Sequence, residues 1–478
     1  MKFALVGVGE AGGRIVDALR KVEKNSDRSF SKEQLLAFDT TQSAFEQYDH
    51  IPYDRHVLIG DTHPDIRGEG LDGGVDLGAE VAQEDSDEIY REFDKLAIHA
   101  VDATVVVAGF GGGTGGGIGP VIVEGLQSIT DKPVYVLGIL PHESESDLHS
   151  LNAARALQSY VSLADNVILF DNDAWYEGED PIEDHYTDLN VELVTRIVAV
   201  LATGEISDAK LPENMLDTSD LMMALSSGGV SSLGYATTEL DRPDGLLERI
   251  ISLFTTGEEE QEMTDATQIK DLIQATVRRK LTLPCEVDST ERAVVVLTGP
   301  PDVCSRKGFE TGRYWLEQET GTVQIWAGDE PVDGSLIAAS VLLSNVTDVP
   351  RIERLKERAV EYQRSLDEES PLPGEAGEEE WGTLDDADSE AADDEVDATD
   401  SAAETDDDPA SDEGGTAPET NGNEPVTVDG EADAAVETDG ETSAEDGETS
   451  DEGDEQQIGE VETLDDGEET REPETTDS

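Results

Sequence analysis

Apolar positions along this chain fall into two alternating kinds of segment: short unbroken runs, and longer stretches with an apolar residue every three or four positions. KFALVGVG, LLAFDT, HVLIG, DATVVVAG, KPVYVLGILP and NVILFD are short and rich in β-branched residues, so they predict buried strands. Between them EAGGRIVDALRKV, with Ile15, Val16 and Leu19 on one face, IYREFDKLAIHA, PVIVEGLQSI and LNAARALQSYV predict helices. DTHPDIRGEGLDGGVDLG, after the third strand, reads as a loop. Such alternation predicts an α/β domain with a doubly wound parallel sheet. DLNVELVTRIVAVLA then predicts a long core helix, apolar at Leu189, Leu193, Val194, Ile197, Val198 and Leu201, with a band wide enough to face two domains. After Leu221 the pattern shifts. ERAVVVLTGP, TVQIWAG and SLIAASVLLSNV read as strands around a helix near RKGFETGRYWLEQET, a second α+β domain closed by RIERLKERAVEYQRSL. The expected division is 1–205, a loop region over 206–221, a second domain over 222–366 and a tail over 367–478.

Charge changes this picture at the end of the chain. The 478 residues hold 112 acids and 31 bases, and 46 of the acids fall in 367–478 beside one base, Arg471, and one aromatic, Trp381. That stretch has too little apolar surface to offset its ordering entropy and predicts a disordered acidic tail. The remainder carries 66 acids against 30 bases, an excess expected of a halophilic protein, since salt screens the self-repulsion. It excludes nucleic-acid binding, which needs a basic footprint. Two cysteines, Cys285 and Cys304, make neither a disulfide framework nor a zinc site, and read as buried thiols. The first apolar run is too short for a signal peptide, and no run reaches the roughly eighteen residues of a transmembrane segment. A cytoplasmic protein is expected.

Candidate chemistry lies in the glycines. GFGGGTGGGIG, Gly109–Gly119, follows a buried strand and precedes a helix with Pro120 near its start. Glycine is costly in regular structure, by roughly 0.5–1 kcal/mol relative to alanine. A strand, a glycine loop and a helix in that order instead present bare amides to a phosphate. GVGEAG, Gly7–Gly12, is a second such loop, and Asp39 closes the next strand, which together fit a dinucleotide-binding dehydrogenase. Two phosphate loops, however, suit one triphosphate gripped from both sides.

With both loops in place, the chain resembles the tubulin/FtsZ superfamily, and within it the archaeal tubulin-like CetZ group. GGGTGGG is similar to the superfamily's signature loop, GVGEAGGRIVD to its first phosphate loop, and LGILPHESESDLHSLNAARALQ, LFDNDAW, SRKGFETGRYWLEQETG and LLSNVTDVPRI to CetZ segments. The resemblance implies GTP or GDP as ligand, with Mg2+ accompanying the nucleotide. Gly9, Glu10, Ala11, Gly12, Gly13 and Arg14, with Gly111, Gly112, Gly113, Thr114 and Gly115, would hold phosphates. Glu145 would bond the ribose, with Glu143 as competitor; Asn172 and Asn190 would read guanine, and Tyr186 would stack on it.

In NMLDTSDLMMAL the resemblance implies a catalytic pair, Asp217 and Asp220, entering the neighbouring subunit's site, with Asp220 orienting the attacking water. The same segment also reads as a helix start capped by Asp217 or Ser219. The implied function is a self-assembling cytoskeletal GTPase, head to tail in filaments, concerned with cell shape. The alternative is a nucleotide-bound scaffold or regulator with little turnover. The tail would recruit binding proteins or membrane adaptors. Glu10 departs from the family's Gly or Gln, with Arg14 placed to offset it, and Glu69, Asp72 and Asp76 add acids to the third loop.

Overall fold

Six parallel strands form the first part of the sheet in the computed structural model, which describes residues 1–178, 180–206, 212, 214–239, 258–301 and 306–369. They are β1 (Phe3–Val8), β2 (Leu35–Asp39), β3 (His56–Leu58), β4 (Ala103–Gly109), β5 (Val134–Leu140) and β6 (Asn166–Asp171), in the order β3-β2-β1-β4-β5-β6. Four further strands, β7 (Val230–Glu239), β8 (Thr290–Gly299), β9 (Ile325–Pro331) and β10 (Leu336–Val346), extend this sheet in the order β7-β10-β8-β9. Strand β7 runs parallel to β6 and antiparallel to β10.

Helices α1 (Gly9–Asn25), α2 (Gln42–Phe45), α3 (Val75–Glu84), α4 (Ser86–Phe93), α5 (Gly119–Ile129) and α6 (Asp147–Leu163) connect the early strands. After them come α7 (Asn172–Trp175), α8 (Tyr186–Leu201), α9 (Thr218–Leu225), α10 (Glu258–Arg278), α11 (Arg306–Thr320) and α12 (Pro350–Glu369). Because side chains alternate along a strand, the parallel strands bury both faces. On one face Leu5, Val105, Val107 and Leu137 pack with Ile15, Val16 and Leu19 of α1 and with Leu193 and Ile197 of α8. That same cluster includes Leu233, Val294, Val296 and Leu342, so α8 joins the two parts of the sheet as its wide apolar band required. On the other face Val6, Val106 and Val136 pack with Ile122, Leu126 and Leu157.

The structure adjusts several expectations. The loop expected through Gly78 winds into α3 from Val75, because Val81 and Ala82 reach the core on one side of that helix. The helix expected through Ala100 ends at Phe93, and Ile98–Ala100 form only a tight turn. Neither β7 nor α10 was expected. The final helix runs to Glu369, three residues into the segment assigned to the tail. The rest of that tail, with Trp381 and Arg471, lies outside the described residues, as does Cys304. Cys285 is half-buried, and burial pushes its thiol up to about 12.

Candidate functional site

The strand order reverses between β1 and β4, which opens a crevice beyond the carboxyl ends of those two strands. Both glycine loops emerge there. Helix α1 begins directly after β1, and its N-cap, Val8, offers no side-chain bond, so first-turn N–H groups are left for an anion. After β4 the chain enters a wide turn, Thr114–Ile118, that continues into α5, again without a side-chain cap. The loops touch: a Cβ on Gly9, which sits at φ +73°, would lie 3.3 Å from the Gly115 nitrogen and from the Thr114 Cβ. Gly12 is pressed against β4, where a Cβ would stand 2.1 Å from the Val107 carbonyl oxygen. Gly111, Gly113 and Gly115 are buried, Gly13 packs under Tyr48, and Gly112 is exposed with no neighbour within 4 Å of where a Cβ would stand. Gly112, half-buried Thr114 and exposed Glu10 and Ala11 therefore border the open space.

Charges around this space are arranged sideways. Glu10 pairs with Arg14, Arg14 also donates to Gln47, and Gln47 donates to Glu10 Oε1 at 3.1 Å. The carboxylate that departs from the family pattern is thus tied to a cation of its own helix. Asp39, the ribose acid of a dehydrogenase reading, is only 3% exposed; burial raises its pKa, and its Oδ1 accepts from Thr41. That side chain is not open to a sugar. Thr40 meets Thr114 at 3.0 Å, and Asn152 of α6 donates to both the Gly73 and Gly111 carbonyls, at 2.9 and 3.0 Å. Glu69, Asp72 and Asp76 of the third loop are all exposed.

Beyond β5 and β6 lie the ribose and base candidates. Glu143 is exposed, whereas the Glu145 side chain is 13% exposed and accepts from the His142 N–H at 2.8 Å. Its second oxygen meets His149 Nδ1 at 2.9 Å. Burial, then the nearby Glu145 charge, raises the Tyr186 phenol, so the acid and the ring are neighbours. Asn172 follows β6 and is 6% exposed; Asn190 lies one turn beyond Tyr186 on α8 and is half-buried. Neither amide has a hydrogen-bond partner among the described residues. The His185 ring stacks on Tyr176 at 4.5 Å, which holds the start of α8 against the segment after Asn172.

The acidic pair sits elsewhere. Asp217 caps α9 by accepting from the Asp220 N–H at 3.0 Å, and Asp220 Oδ2 accepts from the Asp217 N–H at 3.1 Å. Ser219 also donates to Asp217 at 2.6 Å, and these bonds hold the Asp217 carboxyl below its ordinary value. Helix α9 borders a cleft of about 550 Å³ with Thr130, Asp131 and Pro133, the residues that lead into β5. It therefore lies at the amino ends of the strands, while the glycine loops lie at their carboxyl ends. A strand of this length separates them by about 20 Å.

Sequence reasoning missed Asn152, His149, Gln47 and the two arginines of α12 that reach this region, Arg351 and Arg358. None carries a local motif; His149 bonds Glu145 one helical turn away, and the other four act on partners far away in the chain.

Residues 2–180 match the family described as the tubulin/FtsZ family GTPase domain, and residues 178–361 match the C-terminal domain of tubulin-like CetZ. The tubulin-like protein CetZ3 of Haloferax volcanii is 43% identical over 368 residues, 77% of this chain and 93% of the relative. CetZ1 of the same organism is 38% identical over 374 residues, 77% of this chain and 94% of its own length. Among solved structures, the GDP-bound monomer of H. volcanii CetZ1 superposes with a TM-score of 0.66 at 36% identity, covering 76% of this chain and 100% of that one. The GTPγS-bound protofilament of H. volcanii CetZ2 gives 0.66 at 31% identity, covering 77% and 100%.

Proposed function

This chain belongs to the tubulin-like CetZ family, and from that premise we propose that it binds GTP in the β1–β4 crevice, joins head to tail with its own copies, and hydrolyses the nucleotide at each joint. Residues 2–180 are a tubulin/FtsZ-family GTPase domain. The observation that carries the finer reading is the placement of the acidic pair at the opposite end of the strands from the glycine loops. A subunit built this way does not bring its own Asp220 to its own nucleotide, but stacking one subunit's α9 edge on the next one's crevice does. The GTPγS-bound protofilament of the related H. volcanii CetZ2 supports such stacking.

In this reading the amides of 9–14 and 111–115, with the Thr114 hydroxyl, take the phosphates. Asn172 and Asn190 offer amide donors and acceptors to the guanine edge, Tyr186 lies against the base, and Glu145 accepts from the ribose. Asp220 of the next subunit orients the attacking water, and Asp217 holds Asp220. No group of three His, Cys, Asp or Glu among the described residues is placed to hold a metal, so Mg2+ would arrive on the phosphates and neutralise charge there. We assign nucleotide binding to 1–205, the catalytic loop to 206–221, a supporting domain to 222–366, and spacing or recruitment of binding proteins or membrane adaptors to 367–478. The cellular role we assign is control of cell shape from the cytoplasm, at high salt.

A second reading has one observation in its favour. Asp217 and Asp220 satisfy each other as a capping box, which suits a nucleotide-bound scaffold with little turnover.

Asp220→Asn separates these readings, because the amide oxygen still accepts from the Asp217 N–H and α9 stays capped. Under the catalytic reading GTP affinity is unchanged and phosphate release falls by about 10²-fold or more. Mixing this variant with Asn190→Ala then restores some turnover, since each supplies what the other lacks. Turnover at the wild-type rate in Asp220→Asn sinks the catalytic assignment. Equal sedimentation with GTP and GDP at molar KCl favours the scaffold.

A further inference from the structure

We propose that Arg358 of α12, with Arg351 seven residues earlier, is a positioning residue for the ribose: the two hold the 141–147 loop where Glu145 meets the sugar hydroxyls. The inference rests on the ribose reading given above. Arg351 is 4% exposed; its Nε donates to Asp171 Oδ1 at 2.9 Å and its Nη2 to the Pro141 carbonyl at 2.7 Å. One guanidinium thus pins the ends of both β5 and β6, immediately before the loop and before Asn172.

Two helical turns along, on the same side of α12, Arg358 completes the hold. Its Nη1 donates to the Glu143 carbonyl at 2.9 Å, its Nη2 to the Glu145 carbonyl at 3.1 Å, and its Nε to Asp147 Oδ1 at 2.7 Å. Carbonyls two residues apart and a carboxylate at the start of α6 are gripped by one planar fork. The bond from the His142 N–H fixes the Glu145 carboxylate to its own loop, but Arg358 fixes the loop to the body of the protein. Lysine, a compact point charge on a flexible stem, cannot reproduce three such bonds at once. Removing the fork leaves Glu145 intact in chemistry and loose in place.

The test measures equilibrium affinity of the full chain at molar KCl for GTP and for 2′,3′-dideoxy-GTP, which lacks both hydroxyls. The wild type is expected to prefer GTP by about 10-fold or more, as charge-assisted bonds imply. In Arg358→Ala that preference collapses through loss of GTP affinity, with dideoxy-GTP affinity and the preference for GTP over ATP kept. Arg358→Lys recovers only part of it. Equal loss for both guanine nucleotides, or an undiminished ribose preference, overturns the proposal. Glu145→Ala separates the failures: if it loses the ribose preference while Arg358→Ala keeps it, only the positioning role falls. If Glu145→Ala keeps the preference, the ribose reading falls and this inference with it. Should Arg358→Ala not fold, an undiminished preference in Arg358→Lys overturns the proposal equally.

Discussion

Arg28 and Glu330 meet as a two-pronged ion pair, with Nη1 2.9 Å from Oε1 and Nη2 2.6 Å from Oε2. Glu330, on β9, is 3% exposed and also accepts the Gly204 N–H at 2.9 Å, while Arg28 donates to the Ala202 carbonyl at 2.8 Å. One residue earlier, Asp329 accepts from the Asn214 N–H and its own N–H donates to the Asn214 carbonyl at 3.0 Å. Both ends of the stretch between α8 and the acidic pair are therefore anchored on β9.

Glu330→Ala leaves Arg28 largely buried without its partner, and we expect a loss of about 3 kcal/mol or more in unfolding free energy. Because the pair is mostly out of water, that loss should persist when KCl rises to molar levels. Denaturant midpoints at low and high salt check this; a difference that vanishes with salt would mean an ordinary surface pair.

Two neighbouring glycine positions should behave oppositely. A Cβ at Gly12 would stand 2.1 Å from a backbone oxygen, so Gly12→Ala should shift β1, α1 or β4 and lower the melting temperature. At Gly112 an added Cβ would meet no packed neighbour within 4 Å, so Gly112→Ala should melt like wild type and lose only nucleotide affinity. Calorimetric melts of the nucleotide-free variants decide it.

Asn172→Ala should cost no stability, since its amide has no hydrogen-bond partner among the described residues. It should weaken GTP binding by about 1–3 kcal/mol while leaving ATP binding nearly unchanged. Paired titrations with the two nucleotides test this; an equal loss for both would remove Asn172 from base reading.

His149 carries a pH signature. Its hydrogen bond to Glu145 is the largest effect and, with the Glu145 charge, raises its pKa above the ordinary value although burial opposes it. A group whose folded pKa is raised lends stability that is full below the unfolded value and lost as pH climbs through the folded one. Nucleotide-free protein should therefore lose melting temperature as pH climbs above the ordinary histidine value of about 6.5, and His149→Ala should flatten that slope. A slope unchanged in the variant would place its origin in another group.

Much of the fold was legible because its parallel strands are unbroken apolar runs and its glycine loops sit directly after two of them. The second half was harder for a physical reason. Strand β7 reads as polar, VSSLGYATTE, yet Ser231 is fully buried, with its hydroxyl donating to Asn166 Oδ1 at 2.7 Å and lying 3.0 Å from the Ser344 hydroxyl. Ser232 is likewise buried and bonds the Leu283 carbonyl at 2.8 Å. Buried hydroxyls satisfied by partners distant in the chain leave no periodic trace. The phosphate candidates stood out as glycine loops and the base candidates only through the family resemblance, while spacing left the α9 cap between Asp217 and Ser219, and Asp217 takes it. Asn152, Arg351 and Arg358 were not, since their role exists only once α6 and α12 are packed over the loops they hold.

The junction between the sheet's two parts has a mechanical consequence. Strands β6 and β7 share only the pairs Val167–Val230 and Ile168–Ser231, whereas β7 runs in register with β10 from Leu336–Glu239 to Leu343–Ser232. Strain that shears one part of the sheet against the other concentrates on that short seam. The rivet there is polar: the two N–H groups of Asn166 Nδ2 are shared among the Leu225 and Gly228 carbonyls and the Ser344 hydroxyl, at 3.1, 2.8 and 3.1 Å. A pulled or bent subunit should yield first along this line, and the hinge so defined lies beside α9, the helix that carries Asp220. Cysteine pairs that lock the seam would show it as a higher rupture force.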